Sequence, residues 1–163
     1  MKTLFLLRHA KSSWDAPDLA DFDRPLNDRG QRAARFVGKL IAERGLIPQI
    51  IISSPARRAR DTATVVQEEA ELSPVVFDDR IYEASALSLF HLIREFDDKY
   101  SNVLMVGHNP GISELLRLLT GQTHDYPTAA LSGVTLDIPD WASIAINCGR
   151  LEFILRPKDL MPR

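Results

Sequence analysis

Two histidines in this 163-residue chain follow short apolar runs: His9 comes after Leu4-Phe5-Leu6-Leu7-Arg8, and His108 after Val103-Leu104-Met105-Val106-Gly107. Imidazole can serve as nucleophile, proton carrier or metal ligand near neutral pH. Arg8 stands directly before His9, and Arg57, Arg58 and Arg60 follow another apolar run through Ser53-Ser54-Pro55. Guanidinium forks grip phosphate oxygens through paired, charge-assisted hydrogen bonds. Taken singly, each residue has an ordinary explanation: a hydrogen-bonded structural histidine, or a helix-surface arginine paired with Asp61 at helical spacing. Three cations in the opening turns of one helix nevertheless oppose its macrodipole, at a few tenths to about 1 kcal/mol each.

The elements that must carry these residues read as alternating strands and helices. Thr3 to Leu7 reads as a strand buried on both faces, Gln49 to Ile52 and Val103 to Val106 as further apolar strands, and Val75 to Phe77 as a short additional one. Ala33, Phe36, Val37, Leu40 and Ile41 recur at spacings of three and four, predicting a helix from Gly30 to Arg44 that stops at Gly45. Ser54-Pro55 and Asn109-Pro110 read as a cap residue with proline at the first helical position, predicting helices from about Pro55 to Ala70 and from Pro110 onward. Ala86, Leu89, Phe90 and Ile93 share one further helical stripe. Leu131 to Ile138 and Leu151 to Leu155 look like an edge ribbon, and the polar stretch from Ser12 to Arg29 like a long functional loop beside His9. This is the pattern of an α/β fold with a mostly parallel sheet. Ligands bind such sheets beyond the carboxyl ends of the strands, where Arg8, His9, Arg57, Arg58 and His108 are predicted beside helix N-termini that suit an anion.

The bulk properties fit one ordinary domain. Apolar residues make up 45% and charged residues 26%, far from the composition of a disordered chain. A net charge of -2 gives no electrostatic reason to expect nucleic acid. Cys148 is the single cysteine, the N-terminal apolar run becomes charged at Arg8, and no run approaches the roughly 18 residues of a membrane span. The expected compartment is the cytoplasm, with no membrane partner.

With these residues in hand a resemblance emerges. Leu7-Arg8-His9-Ala10 resembles the Arg-His motif of the histidine phosphatase, or phosphoglycerate mutase-like, superfamily, whose usual form is Arg-His-Gly. Leu26-Asn27-Asp28-Arg29-Gly30 resembles its second segment, and Ser54-Pro55-Ala56-Arg57-Arg58-Ala59-Arg60-Asp61-Thr62-Ala63 its Ser-x-x-x-Arg-Ala-x-x-Thr-Ala segment. Val106-Gly107-His108 resembles its late Gly-His. The details Ala10-Lys11-Ser12-Ser13-Trp14 and Asn109-Pro110-Gly111 are similar to the small SixA-type phosphohistidine phosphatases.

The resemblance implies a single three-layer domain over residues 1–163, with a phosphoglycerate mutase-like fold and neither cofactor nor metal. It implies a phosphohydrolase in which neutral His9 is the nucleophile and passes through a phosphohistidine, while Arg8, Arg58 and His108 hold the phosphoryl oxygens. Arg58 is selected because it precedes Ala59 in the motif, leaving Arg57 as a solvated neighbour. Glu83, in Tyr82-Glu83-Ala84, is the implied general acid by sequence order, although it also reads as a surface glutamate. Lys11, Asp23 and Arg24 are loop charges that read either as solvated or as substrate contacts outside the catalytic set, with Lys11 the preferred substrate contact. No long insertion separates Arg58 from His108, which suits an open cleft and a protein-borne phosphohistidine. A small phosphoester, a mutase reaction and a non-catalytic phosphoryl-binding module stay open. A metal-dependent hydrolase built on His9, His108 and Glu83 is opposed by the neighbouring arginines, which would repel a divalent cation.

Overall fold

Leu4, Phe5, Leu6 and Leu7 are all buried, and they alternate between two apolar layers on opposite faces of one sheet. The computed structural model, which describes residues 1–162, places them in the strand β1 (Lys2–Arg8). Leu4 and Leu6 pack with α3 (Ala86–Arg94) and α4 (Gly111–Thr120), whereas Phe5 and Leu7 pack with α1 (Asp28–Glu43) and α2 (Arg57–Glu69). Val103 and Met105 oppose Leu104 and Val106 in the same way along β4 (Asn102–Gly107). Continuous apolar runs therefore mark strands covered on both faces, as the sequence predicts. Truncating a fully buried side chain such as Leu6 or Ile112 to alanine would cost about 2–5 kcal/mol.

The other strands are β2 (Ile50–Ser53), β3 (Val75–Phe77), β5 (Leu131–Leu136) and β6 (Gly149–Leu155), in the sheet order β3-β2-β4-β1-β5-β6. The pairings β1 with β4, β2 with β4 and β2 with β3 are parallel, and β5 runs antiparallel to both its neighbours. The predicted ribbon thus exists but is joined to the main sheet through β1. A short helix, α5 (Pro157–Leu160), follows β6 and is too short to leave a periodic signal.

Helix starts depart from the sequence reading for identifiable reasons. α1 begins at Asp28, two residues before Gly30, because the Asn27 side chain accepts the Gly30 N–H at 2.8 Å and caps it. α2 begins at Arg57 without a side-chain cap: the Ser54 hydroxyl lies against His108 and also accepts the Ala56 N–H, so it does not start a helix. α4 begins at Gly111, where the Asn109 carboxamide accepts the Ser113 N–H at 3.2 Å. No helix among the described residues is long and apolar enough to cross a membrane.

Candidate active site

Strand register does the first work of assembly. Arg8 pairs with Gly107 across β1 and β4, so His9 and His108 leave the sheet side by side, with ring centroids 5.2 Å apart. Ser53 pairs with Val106, which brings Ser54 to the same edge. The motif residues around them fix the turn that carries His9. The Ala10 N–H donates to Thr62 Oγ1 at 2.9 Å, and that hydroxyl donates to the Arg58 carbonyl at 2.7 Å, tying the turn to α2. The Lys11 carbonyl accepts the Asn27 N–H, and a Cβ at Gly30 would run into that same carbonyl, so glycine there lets α1 close against the loop. From the other side the Ala129 N–H donates to both the Arg8 and the His9 carbonyls at 3.1 Å. Ala129 does so with φ at 62°, a left-handed conformation that an alanine adopts at a cost of about 1–2 kcal/mol.

Each of four side chains is held by one end and leaves the other free. His9, 8% exposed, has Nδ1 at 2.7 Å from the Ala10 carbonyl. A carbonyl only accepts, so Nδ1 carries the proton and Nε2 presents a lone pair. Arg8 donates through Nη1 to the Tyr126 carbonyl at 3.0 Å, and its Nε is buried without a partner. Arg58, 7% exposed, donates from Nη1 to the Asp21 carbonyl at 2.8 Å and from Nη2 to Asp21 Oδ2 at 3.0 Å, leaving Nε buried and unpartnered. His108 places Nε2 at 2.8 Å from Ser54 Oγ and likewise leaves Nδ1 buried without a partner. Buried polar nitrogens without a partner cost about 1–3 kcal/mol each and are rare in native proteins. Three in one place describe a cradle for an anion.

The electrostatics match. Burial, with the nearby cations Arg58, Arg8 and Arg24, holds His9 down to about 4, against a hydrogen bond to Ala10 that pulls the other way. Burial first, then His9 and Arg58, holds His108 down to about 3, so both rings are neutral at neutral pH. Burial also lowers the Arg8 guanidinium, which remains a cation.

The loop contributes a residue that sequence reasoning missed. Asp21 binds Arg58 and also accepts from the Tyr82 hydroxyl at 2.7 Å and from Arg24 Nε at 3.3 Å. Tyr82 meets His108 edge-on at 5.6 Å and Phe22 at 5.1 Å. Asp23 is exposed, while Arg24 is buried, with its guanidinium 3.5 Å from the ring centroid of Trp14. Lys11 has an exposed side chain. Glu83 is exposed next to Tyr82, with φ at 56°, and its carboxylate joins burial and Asp21 in pushing the Tyr82 hydroxyl up to about 12. Arg57 is solvated and pairs with Asp61 at 3.6 Å, as expected. Among the described residues no group of three or more histidine, cysteine, aspartate or glutamate side chains is placed to hold a metal ion.

Known proteins carry the same frame. An uncharacterized chloroplastic protein of Arabidopsis thaliana is 34% identical over 74% of this chain, which spans 60% of that protein's length. An uncharacterized protein of Mycobacterium tuberculosis is 30% identical over 89% of this chain and 96% of its own. A crystal structure of a SixA protein of Agrobacterium tumefaciens, assigned as a phosphohistidine phosphatase, superposes with a TM-score of 0.83 at 31% identity, covering 96% of this chain and 98% of its own. The profile of the histidine phosphatase superfamily (branch 1) matches residues 4–89, the span that holds Arg8, His9 and Arg58, and the chain belongs to that superfamily.

Proposed function

We propose that this protein is a metal-independent phosphohydrolase that removes the phosphoryl group from phosphohistidine on a protein, with His9 as nucleophile. The observation that carries this reading is the His9 tautomer: Nδ1 is committed to the Ala10 carbonyl, and the Nε2 lone pair belongs to a ring kept neutral by burial and neighbouring cations. In the first step Nε2 attacks phosphorus in line, the Nε2–P bond forms, and the bond from phosphorus to the leaving group breaks. Arg8 Nε, Arg58 Nε and His108 Nδ1 take the phosphoryl oxygens, each gaining the partner it lacks. The leaving group takes up a proton, for which Glu83 at the rim is the proposed donor. In the second step water attacks phosphorus, the Nε2–P bond breaks, phosphate departs, and the water's surplus proton is released to solvent or a rim carboxylate.

Two features favour a protein-borne phosphohistidine. The SixA-like sequence details are matched by the likeness to the Agrobacterium SixA structure over nearly the whole chain. Trp14, 75% exposed, and Phe22, 38% exposed, add apolar surface on the loop that carries Asp21, which a polar metabolite has no use for. Lys11 is the proposed outer contact for the incoming partner.

The test is phosphate release from a phosphohistidine-bearing protein in excess chelator, together with trapping of acid-labile label on the enzyme. Wild type should release phosphate and take label, and His9→Ala should do neither. Label from a small phosphoester without release from the phosphoprotein would move the substrate to small molecules. Neither release nor label across a phosphoester panel would leave only a binding module.

A further inference from the structure

The two active-site imidazoles are held in opposite senses, and the residue that holds the second is one the sequence presents as a helix cap. Ser54 is fully buried, and its Oγ has two neighbours: the Ala56 N–H, which donates to it at 3.2 Å, and His108 Nε2 at 2.8 Å. The adjacent Ser53 hydroxyl donates instead to the Ser54 carbonyl. Having accepted one N–H, the Ser54 hydroxyl has its own proton to place, and His108 Nε2 is the acceptor in reach. A neutral imidazole carries one donor and one acceptor nitrogen. With Nε2 accepting, the proton must sit on Nδ1, the buried atom without a protein partner. The reverse arrangement would leave the Ser54 proton unplaced and turn a bare nitrogen lone pair toward an anion.

We propose that Ser54 is a positioning residue that locks His108 in the Nδ1–H tautomer, so that the ring presents a donor to the phosphoryl group while His9 presents a lone pair. This rests on the phosphoryl-transfer reading for its purpose but not for its geometry. The two histidines then divide the chemistry: the Ala10 carbonyl makes one a nucleophile, and the Ser54 hydroxyl makes the other an electrophilic support.

Side-chain nitrogen NMR on the full-length protein near neutral pH reads the tautomer directly. In the wild type His108 Nδ1 should give a protonated, pyrrole-type signal and Nε2 a pyridine-type signal, with the reverse at His9. Ser54→Ala should move His108 toward a mixture or the opposite tautomer, leave His9 unchanged, and slow labelling of His9 roughly tenfold, less than the hundredfold or more expected for His108→Ala. Ser54→Thr, which keeps the hydroxyl, should restore the wild-type tautomer. An Nε2–H signal at His108 in the wild type would overturn the proposal, as would a pure Nδ1–H form in folded Ser54→Ala. If the tautomers are as stated but no phosphoester labels His9, the phosphoryl-transfer reading fails while the role of Ser54 stands.

Discussion

Asp21 grips Arg58 twice, by its backbone carbonyl at 2.8 Å and its Oδ2 at 3.0 Å, so a loop residue faces the outer edge of the pocket arginine across 37 positions of sequence. The Asp21 side chain is 51% exposed, whereas that of Arg58 is 9% exposed. The same carboxylate is held below the usual range, first by the Tyr82 hydroxyl and then by Arg58 and Arg24, against partial burial. It is therefore an anion beside the place where another anion is expected.

Removing that charge should tighten anion binding. Asp21→Asn keeps an acceptor for Tyr82 and leaves the backbone contact to Arg58 intact, so Arg58 stays in place while one repulsion disappears. After discounting for exposure the gain is about 1 kcal/mol, or roughly fivefold in Kd. Calorimetric titration with tungstate or phosphate checks this. Weaker binding would mean that holding Arg58 in place outweighs the repulsion.

The two neighbouring arginines should separate sharply. Arg57 is solvent-exposed and bridges Asp61 on the same helix, so Arg57→Ala should change turnover by less than about twofold. Arg58→Ala removes an oriented cation and leaves Asp21 without its ion-pair partner across the loop, and should lower turnover by about a hundredfold or more. Steady-state kinetics on the pair decides it; equal effects would contradict the assignment of the pocket arginine.

How much of this was legible beforehand follows from what leaves a periodic or motif trace. β1, β2, β4 and the helices carrying Ala34, Ile93 and Leu116 show in apolar spacing, because each buries a face, whereas the helix carrying Ala63 was legible only through the Ser54-Pro55 pair at its start. Arg8, His9, Arg58 and His108 stood out through motif order, and strand register explains their convergence. Asp21 did not stand out: it shares a polar loop with Asp15, Asp18 and Asp23, and nothing local distinguishes the one that meets Arg58. Ser54 was visible but misread, since a serine before proline looks the same whether its hydroxyl caps a helix or meets a histidine 54 positions away. Tyr126 was equally silent, its carbonyl receiving both Arg8 and Asn109 in an otherwise unremarkable segment.

Acid should weaken the fold through the same histidines that serve the site. Both are held below the ordinary value of 6.5, His9 to about 4 and His108 to about 3. As pH falls below about 6.5 the unfolded chain takes up protons on both rings that the folded chain refuses, so stability present at neutral pH declines through this window. Urea unfolding at about pH 7 and about pH 5 should show the loss, and His9→Gln, which has no proton to take up, should show a smaller one. An unchanged pH dependence in His9→Gln would mean that His9 titrates normally in the folded chain. Labelling of His9 should stay flat over the same range and fall only as pH approaches 4.

Glu83 is where the leaving group should reveal itself. An alkoxide from an ordinary phosphoester needs a proton in the transition state, a contribution typically worth about a hundredfold or more. A P–N bond is intrinsically more labile and makes less demand on an acid. Glu83→Gln keeps the shape of a residue at φ 56° while removing the acid, so the strain at this position is unchanged and the comparison isolates the proton. Turnover of a small phosphoester should fall by about a hundredfold, and release from phosphohistidine by less than about threefold. Equal losses on both substrates would make Glu83 an acid for the P–N bond as well, and no loss on either would return the glutamate to the surface role that its exposure allows.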